Sequence, residues 1–425
     1  MVVVAPEFVP QNLAGVMRTR FLATHLAEFG WAPTVLTVRE DCSEGGVDER
    51  SRALLDPQVR VERVGAWPVR WCRPLGIGDV SLRSQWSMRR RLGELIRAGE
   101  VDLVFVSVLP GYASLVGAWA KQKFGVPFVL DYQDPWVTEA GAAGPCWTKS
   151  GVAHRLATWL EPGAARMADA FTAVSAETLG TLRKRNLIRR NTPVEILPIG
   201  ADSADHVVAA QFGRSQIQRS PDEIVLAYLG TLTERMLPAT EAVFRAVAQM
   251  QARQPQRRIS LHFIGTSAQA GGRDVHGLVA LARACGVGES FHLEPRRVGY
   301  LDALCSMQAA DVLLLLGSSD SHYTASKIFP CWLAGRPVFG LFHQASTIVA
   351  LARELGGVGL VTYADGEEPR EQVPAVTAML GDIGRRGLAA LPTRQEAAME
   401  PYSARGLAGR FAGLFDRVWA GAGRN

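Results

Sequence analysis

The chain of 425 residues is roughly two to three times a typical domain length, enough for more than one core. Hydrophobic residues make up 48% and charged residues 20%, which excludes wholesale disorder. Forty-six Lys and Arg against 41 Asp and Glu leave a net charge of +5, too small over this length to argue for nucleic acid.

The opening MVVVAPEFVPQNLAG has no basic leader before its apolar run, and Glu7 and two prolines follow within ten residues, so no signal peptide is expected. It begins with a strand at Val2–Val4, followed by a helix over Arg18–Phe29. Further short β-branched runs mark strands at Thr34–Thr37, Val59–Val64, Leu103–Val108, Phe128–Leu130, Ala170–Val174 and Val194–Leu197. Helical periodicity fills Gln85–Ala98, Ala113–Phe124 and Ala153–Met167 between them. This alternation predicts parallel strands joined by helical crossovers, a doubly wound α/β sheet.

Residues 203–222 are polar and lack a clear period, and the alternation then restarts. Strands are predicted at Ile224–Leu229, Ile259–Ile264, Ser290–Leu293, Val312–Leu316 and Val338–Leu341. Helices are predicted at Thr240–Gln251, Val275–Ala284, Tyr300–Ala309 and Ser326–Ala334, with a last one at Ala404–Trp419. The expected division is a Rossmann-like domain over 1–205, completed by helix 404–420, and a second over 206–403. Neither half carries GxGxxG or GxxxxGK[ST], which disfavours a dehydrogenase or a P-loop hydrolase. No stretch reaches the ~18 uninterrupted apolar residues of a membrane span. Cys42, Cys72, Cys146, Cys285, Cys305 and Cys331 are scattered without a CxxC, so a reduced, cytoplasmic chain without structural zinc is expected.

Several segments, in order, resemble the GT-B glycosyltransferases, and among them family 4. The carriers are PEFVPQNLAGVMRTRFLATHLAEFGWAPTVLTV, VDLVFVSVLPGYASLVGAWAKQKFGVPFVLDYQDPW, MADAFTAVSAETLGTL with EILPIGAD, the strands LAYLGTL, LHFIGTS and AADVLLLLG, and HYTASKIFPCWLAGRPVFGLF. The resemblance covers nearly the whole chain. It implies two Rossmann-like domains facing across a cleft, and sugar transfer from a nucleotide diphosphate sugar to an acceptor hydroxyl. It further implies anomeric retention, no metal and no cofactor beyond the donor itself.

A diphosphate leaving group develops negative charge as the glycosidic bond breaks, and backbone N–H groups and cations must meet it. Three segments offer these. Ser326 is a plausible N-cap with Lys327 in the first turn, and a cation there is unfavourable unless an anion compensates it. Gly230-Thr231-Leu232-Thr233-Glu234-Arg235 follows an apolar strand, with Gly for close backbone approach and Arg235 for bidentate pairing. Asn12 to Arg18 encloses Gly15 and corresponds to the family's opposing loop. By the resemblance, Ile328, Gly265 and Arg297 complete the donor set, the last two near the base. Arg235, Lys327 and Asp134 are the expected catalytic residues. The family's two motif glutamates are replaced here by His322 and Pro330, and Pro330 cannot accept ribose hydroxyl bonds.

Asp131 and Asp134 follow a buried strand and are placed to orient or deprotonate an acceptor hydroxyl, with Tyr112 in a neighbouring loop; capping of the turn is the structural alternative. Residues 67–97 mix Trp67, Trp71 and Trp86 with seven Arg and only Asp79 and Glu94, the composition of a peripheral membrane or lipid-acceptor contact at the inner face of the cytoplasmic membrane. A solvated helix face over buried tryptophans has the same composition. A nucleotide-sugar 2-epimerase and a GT-B scaffold without catalysis stay open beside the transferase.

Overall fold

The computed structural model describes all residues except 14, 44, 76, 138–147, 221, 268–271, 275, 319–325 and 424–425. The chain divides into two compact units, residues 1–200 with 404–425 and residues 201–403.

The first unit holds a seven-stranded sheet. Its strands are β1 (Val2–Val4), β2 (Thr34–Val38), β3 (Arg60–Val64), β4 (Val104–Ser107), β5 (Phe128–Tyr132), β6 (Ala170–Ala173) and β7 (Val194–Ile196). Their spatial order is β3-β2-β1-β4-β5-β6-β7, and every neighbouring pair is parallel. The central strands are buried on both faces, which is why they read as unbroken apolar runs. One face packs Val104, Val106, Phe128 and Leu130 against Leu92, Leu95, Val116 and Ala120 of the crossover helices. On the other, the Ala404–Ala422 helix returns to this unit and sets Phe411 and Phe415 edge-on to Phe105, at 5.5 and 5.7 Å.

The second unit holds six parallel strands in the order β10-β9-β8-β11-β12-β13. They are β8 (Glu223–Leu229), β9 (Arg258–Ile264), β10 (Phe291–Glu294), β11 (Val312–Leu316), β12 (Val338–His343) and β13 (Val358–Tyr363). The helices Thr347–Leu355 and Val373–Arg386 were not expected, and three further elements depart from the expected pattern. β13 pairs with β12 over six residues, although its burial alternates and a Gly pair precedes it. Ser203–Phe212, read as part of a polar joint, is a helix capped by Asp202, whose carboxylate accepts from the Ala204 N–H. It packs in the second unit, and Tyr300 Oη donates to Asp205 at 2.9 Å. The helix predicted from Ser326 starts only at Ile328 and ends at Leu333. Pro330 explains the shift: it lacks an N–H and is tolerated only in a first turn, where no intrahelical partner is needed.

In both sheets the strand order reverses beside the first strand of the unit, at β1/β4 and at β8/β11. The carboxyl ends of the strands at such a reversal are where open α/β sheets bind ligands.

Candidate functional site

At the strand ends of the second unit, β8 runs into Gly230, whose φ of 116° suits glycine alone. Its N–H donates to the Ile264 carbonyl at 2.8 Å, and a Cβ there would overlap Lys327 Nζ. Gly265, with φ 70°, lies beside it, so two backbones without side chains meet at the tips of β8 and β9. The Lys327 ammonium lies 5.2 Å from the Tyr228 ring centroid. No carboxylate pairs with it among the described residues. Burial, with a smaller contribution from Arg297, pushes Lys327 down to about 8. Burial also lowers Arg297.

The structure therefore brings Gly230, Gly265, Arg297 and Lys327 together. Other members of the expected set are placed differently. Ser326 does not cap the helix, because Lys327 holds the N-cap position and no side-chain cap bond forms. The Ile328 side chain is fully buried, leaving only its backbone to face a ligand. Thr231 offers its carbonyl to Tyr228 Oη at 2.8 Å. Arg235 is exposed and lines a cavity of about 480 Å³ with Gly317, His343, Tyr363 and Asp365, on the β11–β13 side of the edge. His322 lies outside the described residues.

The first unit overturns three expectations, for Arg18, Asp131 and Tyr112. Arg18 was expected at the donor and Asp131 at the acceptor, yet they hold each other. Arg18 Nε and Nη2 donate to the Asp131 carboxylate at 2.8 and 2.7 Å, and Nη1 donates to the Leu197 and Pro198 carbonyls. Thr172 Oγ1 donates to the same carboxylate at 2.6 Å. Arg18 is 2% exposed and Asp131 0%, so neither reaches a substrate; the pair ties β5 to the first helix. Gly15 packs tightly, since a Cβ would lie 2.7 Å from Leu109 Cδ2. Gln133 Nε2 donates to its carbonyl at 3.3 Å. Tyr112 is buried and its hydroxyl donates to the Ala153 carbonyl, so it is a support rather than an acceptor ligand. Asp134 alone of the expected acceptor carboxylates is exposed.

Two carboxylates escaped the sequence reading. Asp79 caps the short Val80–Arg83 helix, accepting from the Ser81 and Leu82 N–H groups at 2.8 and 3.1 Å. Glu7 follows β1, and burial together with the Asp79 charge pushes its carboxyl up to about 7. The only available signal was an acidic residue three places after the first strand. Its meaning depends on the strand order, which is not local in sequence.

In residues 67–97 the tryptophans are at the surface: Trp67 and Trp71 are each 61% exposed and Trp86 66%. Arg90 stacks on Trp86, and Arg89, Arg90, Arg97, Lys123, Trp86 and Trp119 line a groove of about 650 Å³. Arg83 and Arg91 are structural instead, the first donating to the Trp67 and Cys42 carbonyls, the second paired with Glu62 and Glu94. Among the described residues no helix is long and apolar enough to cross a membrane.

Residues 15–200 match the family model described as a glycosyl transferase 4-like domain. No curated protein matches the chain. Among solved structures, HepE from Anabaena in complex with UDP and glucose is 16% identical, with a TM-score of 0.62 over 98% of this chain and 100% of that one. Sucrose-phosphate synthase from Thermosynechococcus elongatus is 15% identical, with a TM-score of 0.62 over 99% of both chains. A UDP-N-acetylglucosamine 2-epimerase structure from Listeria monocytogenes is 12% identical, with a TM-score of 0.51 over 99% of this chain and 96% of that one. With two doubly wound parallel sheets and these structural neighbours, the chain has the GT-B fold, and its residues 15–200 are similar to the glycosyl transferase 4-like domain.

Proposed function

We propose that the chain transfers a sugar from a UDP-sugar to an acceptor hydroxyl in glycan, polysaccharide or glycolipid assembly, with retention at the anomeric carbon and without a metal ion. The observation that carries this reading is the Lys327 ammonium, desolvated against Tyr228, bordered by Gly230 and paired with no carboxylate among the described residues. A buried cation without a counter-charge is costly in the empty protein, and a diphosphate removes that cost. Lys327 and Arg297 meet the charge that grows on the leaving phosphate, while Gly230 and Gly265 let backbone approach it. Pro330 in place of a glutamate leaves the ribose to other groups of the same edge. Asp134 is the exposed carboxylate on the acceptor side. The indoles and guanidinium groups of residues 67–97 form the contact with an anionic bilayer at the inner face of the cytoplasmic membrane.

The test is calorimetric titration of the full chain with UDP, GDP, ADP and UDP-glucose, with Lys327→Ala as control, followed by turnover with and without EDTA. Binding of the UDP series that Lys327→Ala weakens roughly 10- to 150-fold supports the reading, that being the loss of a charge-assisted bond of about 1.5–3 kcal/mol. Absence of binding by any nucleotide points to a scaffold without catalysis. NMR of the product separates transfer with retention from 2-epimerisation, and EDTA-sensitive turnover refutes metal independence.

A further inference from the structure

The groove of about 650 Å³ in the first unit runs between the helices Gln85–Arg97 and Ser114–Phe124. Each helix leads into the amino end of a strand, β4 for the first and β5 for the second. The groove therefore descends from Gln85 towards Arg97 and Lys123, away from the carboxyl ends of the strands. Its walls carry an excess of positive charge. Arg89, Arg90, Arg97 and Lys123 line it, and its acidic lining residue, Glu94, is held by Arg90 and Arg91 at 3.1 and 2.9 Å. Arg89, Arg97 and Lys123 have no carboxylate partner among the described residues. Aromatic rings hold them instead. Arg89 lies 6.0 Å and Lys123 5.5 Å from the Trp119 centroid, and Arg97 lies 5.4 Å from that of Phe124. A ring face attracts a cation without neutralising it, so the charge stays available to a ligand.

Arg89 is the most constrained of the three. Half-buried, it donates through Nη2 to the Leu115 carbonyl at 3.3 Å, while its Nε is sealed from solvent without a partner. A guanidinium carries five N–H groups, and leaving several unmatched in a desolvated place is costly. Burial accordingly lowers Arg89. An anion in the groove offsets that cost through the Nη groups, whose planar fork matches two oxygens of a phosphate. Three cations without counter-charges favour an anion with more than one negative charge. A phosphate monoester is close to doubly charged at neutral pH, whereas a phosphodiester carries a single charge. The exposed Trp86 indole, with Arg90 over its ring at 5.5 Å, adds an apolar wall for whatever bears the phosphate.

We propose that this groove is a second phosphate site, separate from the Lys327 edge, and that Arg89, Arg97 and Lys123 make it selective for a phosphate monoester over a diester. The monoester belongs to a lipid headgroup or to a soluble molecule, and the test has an arm for each. Sedimentation of the full chain with phosphatidylcholine vesicles compares added phosphatidic acid, a monoester, with phosphatidylglycerol, a diester, at matched surface charge. Calorimetry compares glycerol 3-phosphate with glycerophosphoglycerol in a Lys327→Ala background, which removes phosphate binding at the donor edge. In at least one arm the monoester should bind roughly tenfold more tightly, and Arg89→Met should abolish that preference, as loss of a charge-assisted bond. Arg97→Ala and Lys123→Ala, at exposed positions where folding is not at stake, should each reduce monoester affinity roughly two- to fivefold. UDP affinity of the parent should be unchanged by all three. A preference seen with vesicles identifies a lipid headgroup. A preference seen only in solution supports the site, identifies a soluble ligand and overturns the bilayer contact instead. Vesicle binding without any preference for the monoester in either arm overturns the site and leaves the bilayer contact standing. Absence of monoester binding in both arms, or monoester affinity untouched by Arg97→Ala and Lys123→Ala, also overturns it.

Discussion

The two sheet edges are built alike and charged oppositely. In the second unit, β8 ends at a glycine, and a lysine with no acidic partner among the described residues closes over the Tyr228 ring. In the first, β1 ends in a loop carrying a carboxyl with no basic partner among the described residues, while Arg83 is held by carbonyls, Arg63 by a carbonyl and Glu40, and Arg18 by Asp131 and two carbonyls. The fold places ligand groups at the strand ends in both cases, and the side chains alone decide which kind of ligand is received. One edge stores unneutralised positive charge for a phosphate; the other stores a carboxyl whose proton is held by burial and by the Asp79 charge. Neither arrangement is the most stable one for an empty protein, which is the mark of a functional edge.

The largest test separates structure from chemistry within the first unit. Asp131→Ala leaves the Arg18 guanidinium buried without its counter-charge, at a cost of about 3–5 kcal/mol. That should lower Tm by on the order of 10 °C, measured calorimetrically. If stability holds and only acceptor turnover falls, Asp131 belongs to the acceptor edge and the contrast drawn above is wrong.

That pair also marks where sequence reading stops. The alternation of apolar runs and helical segments displays both sheets, because parallel strands buried on two faces leave a local signature. β13 escapes it, since its half-buried residues alternate instead of running apolar. The Ser203–Phe212 helix escapes it because its polar N-terminus was taken for a joint. Lys327 and Gly230 are legible since each sits in a short motif beside a strand end. Arg18 and Asp131 look equally legible, each in a promising loop, yet they are 113 positions apart and neutralise each other. No local pattern reveals a cancellation at that range. Glu7 is the converse case, an ordinary residue in sequence that strand order brings beside Asp79.

Next in size is a pH effect whose sign is opposite at the two edges. The folded protein holds the Glu7 proton more tightly than the unfolded chain does, at about 7 against 4.5. That contribution to stability is fully present below about 4.5 and is lost as pH rises through 7. The difference of about 2.5 units corresponds to at most ~3 kcal/mol. Urea unfolding should thus find Glu7→Gln more stable than the parent at pH 8, by up to that amount, and nearly equal at pH 5. An equal difference at both pH values would show that Glu7 is not held protonated.

Lys327 runs the other way, at about 8 against 10.5, so its penalty is full below 8 and relieved as pH rises from there towards 10.5. A diphosphate favours the charged form. UDP binding at pH 8.5 should therefore take up protons, seen as a dependence of the calorimetric enthalpy on the ionisation heat of the buffer. Lys327→Met should abolish the uptake along with about 1.5–3 kcal/mol of binding. Binding with no proton uptake would place the phosphate away from Lys327.

The smallest stability change comes from Gly230→Ala, and it is the most selective test of how the cationic edge is assembled. The strain of an alanine at φ 116° costs about 1–2 kcal/mol. The new methyl group overlaps Lys327 Nζ, the far end of a flexible side chain, so the fold can yield by moving the ammonium. That movement takes the cation from the Tyr228 ring and from the place a phosphate needs it. UDP affinity should then fall nearly as far as in Lys327→Met, and adding Lys327→Met to Gly230→Ala should lower it little further, because both changes remove one interaction. Additive losses would show that Gly230 serves the donor through its own backbone, independently of the lysine that closes over it.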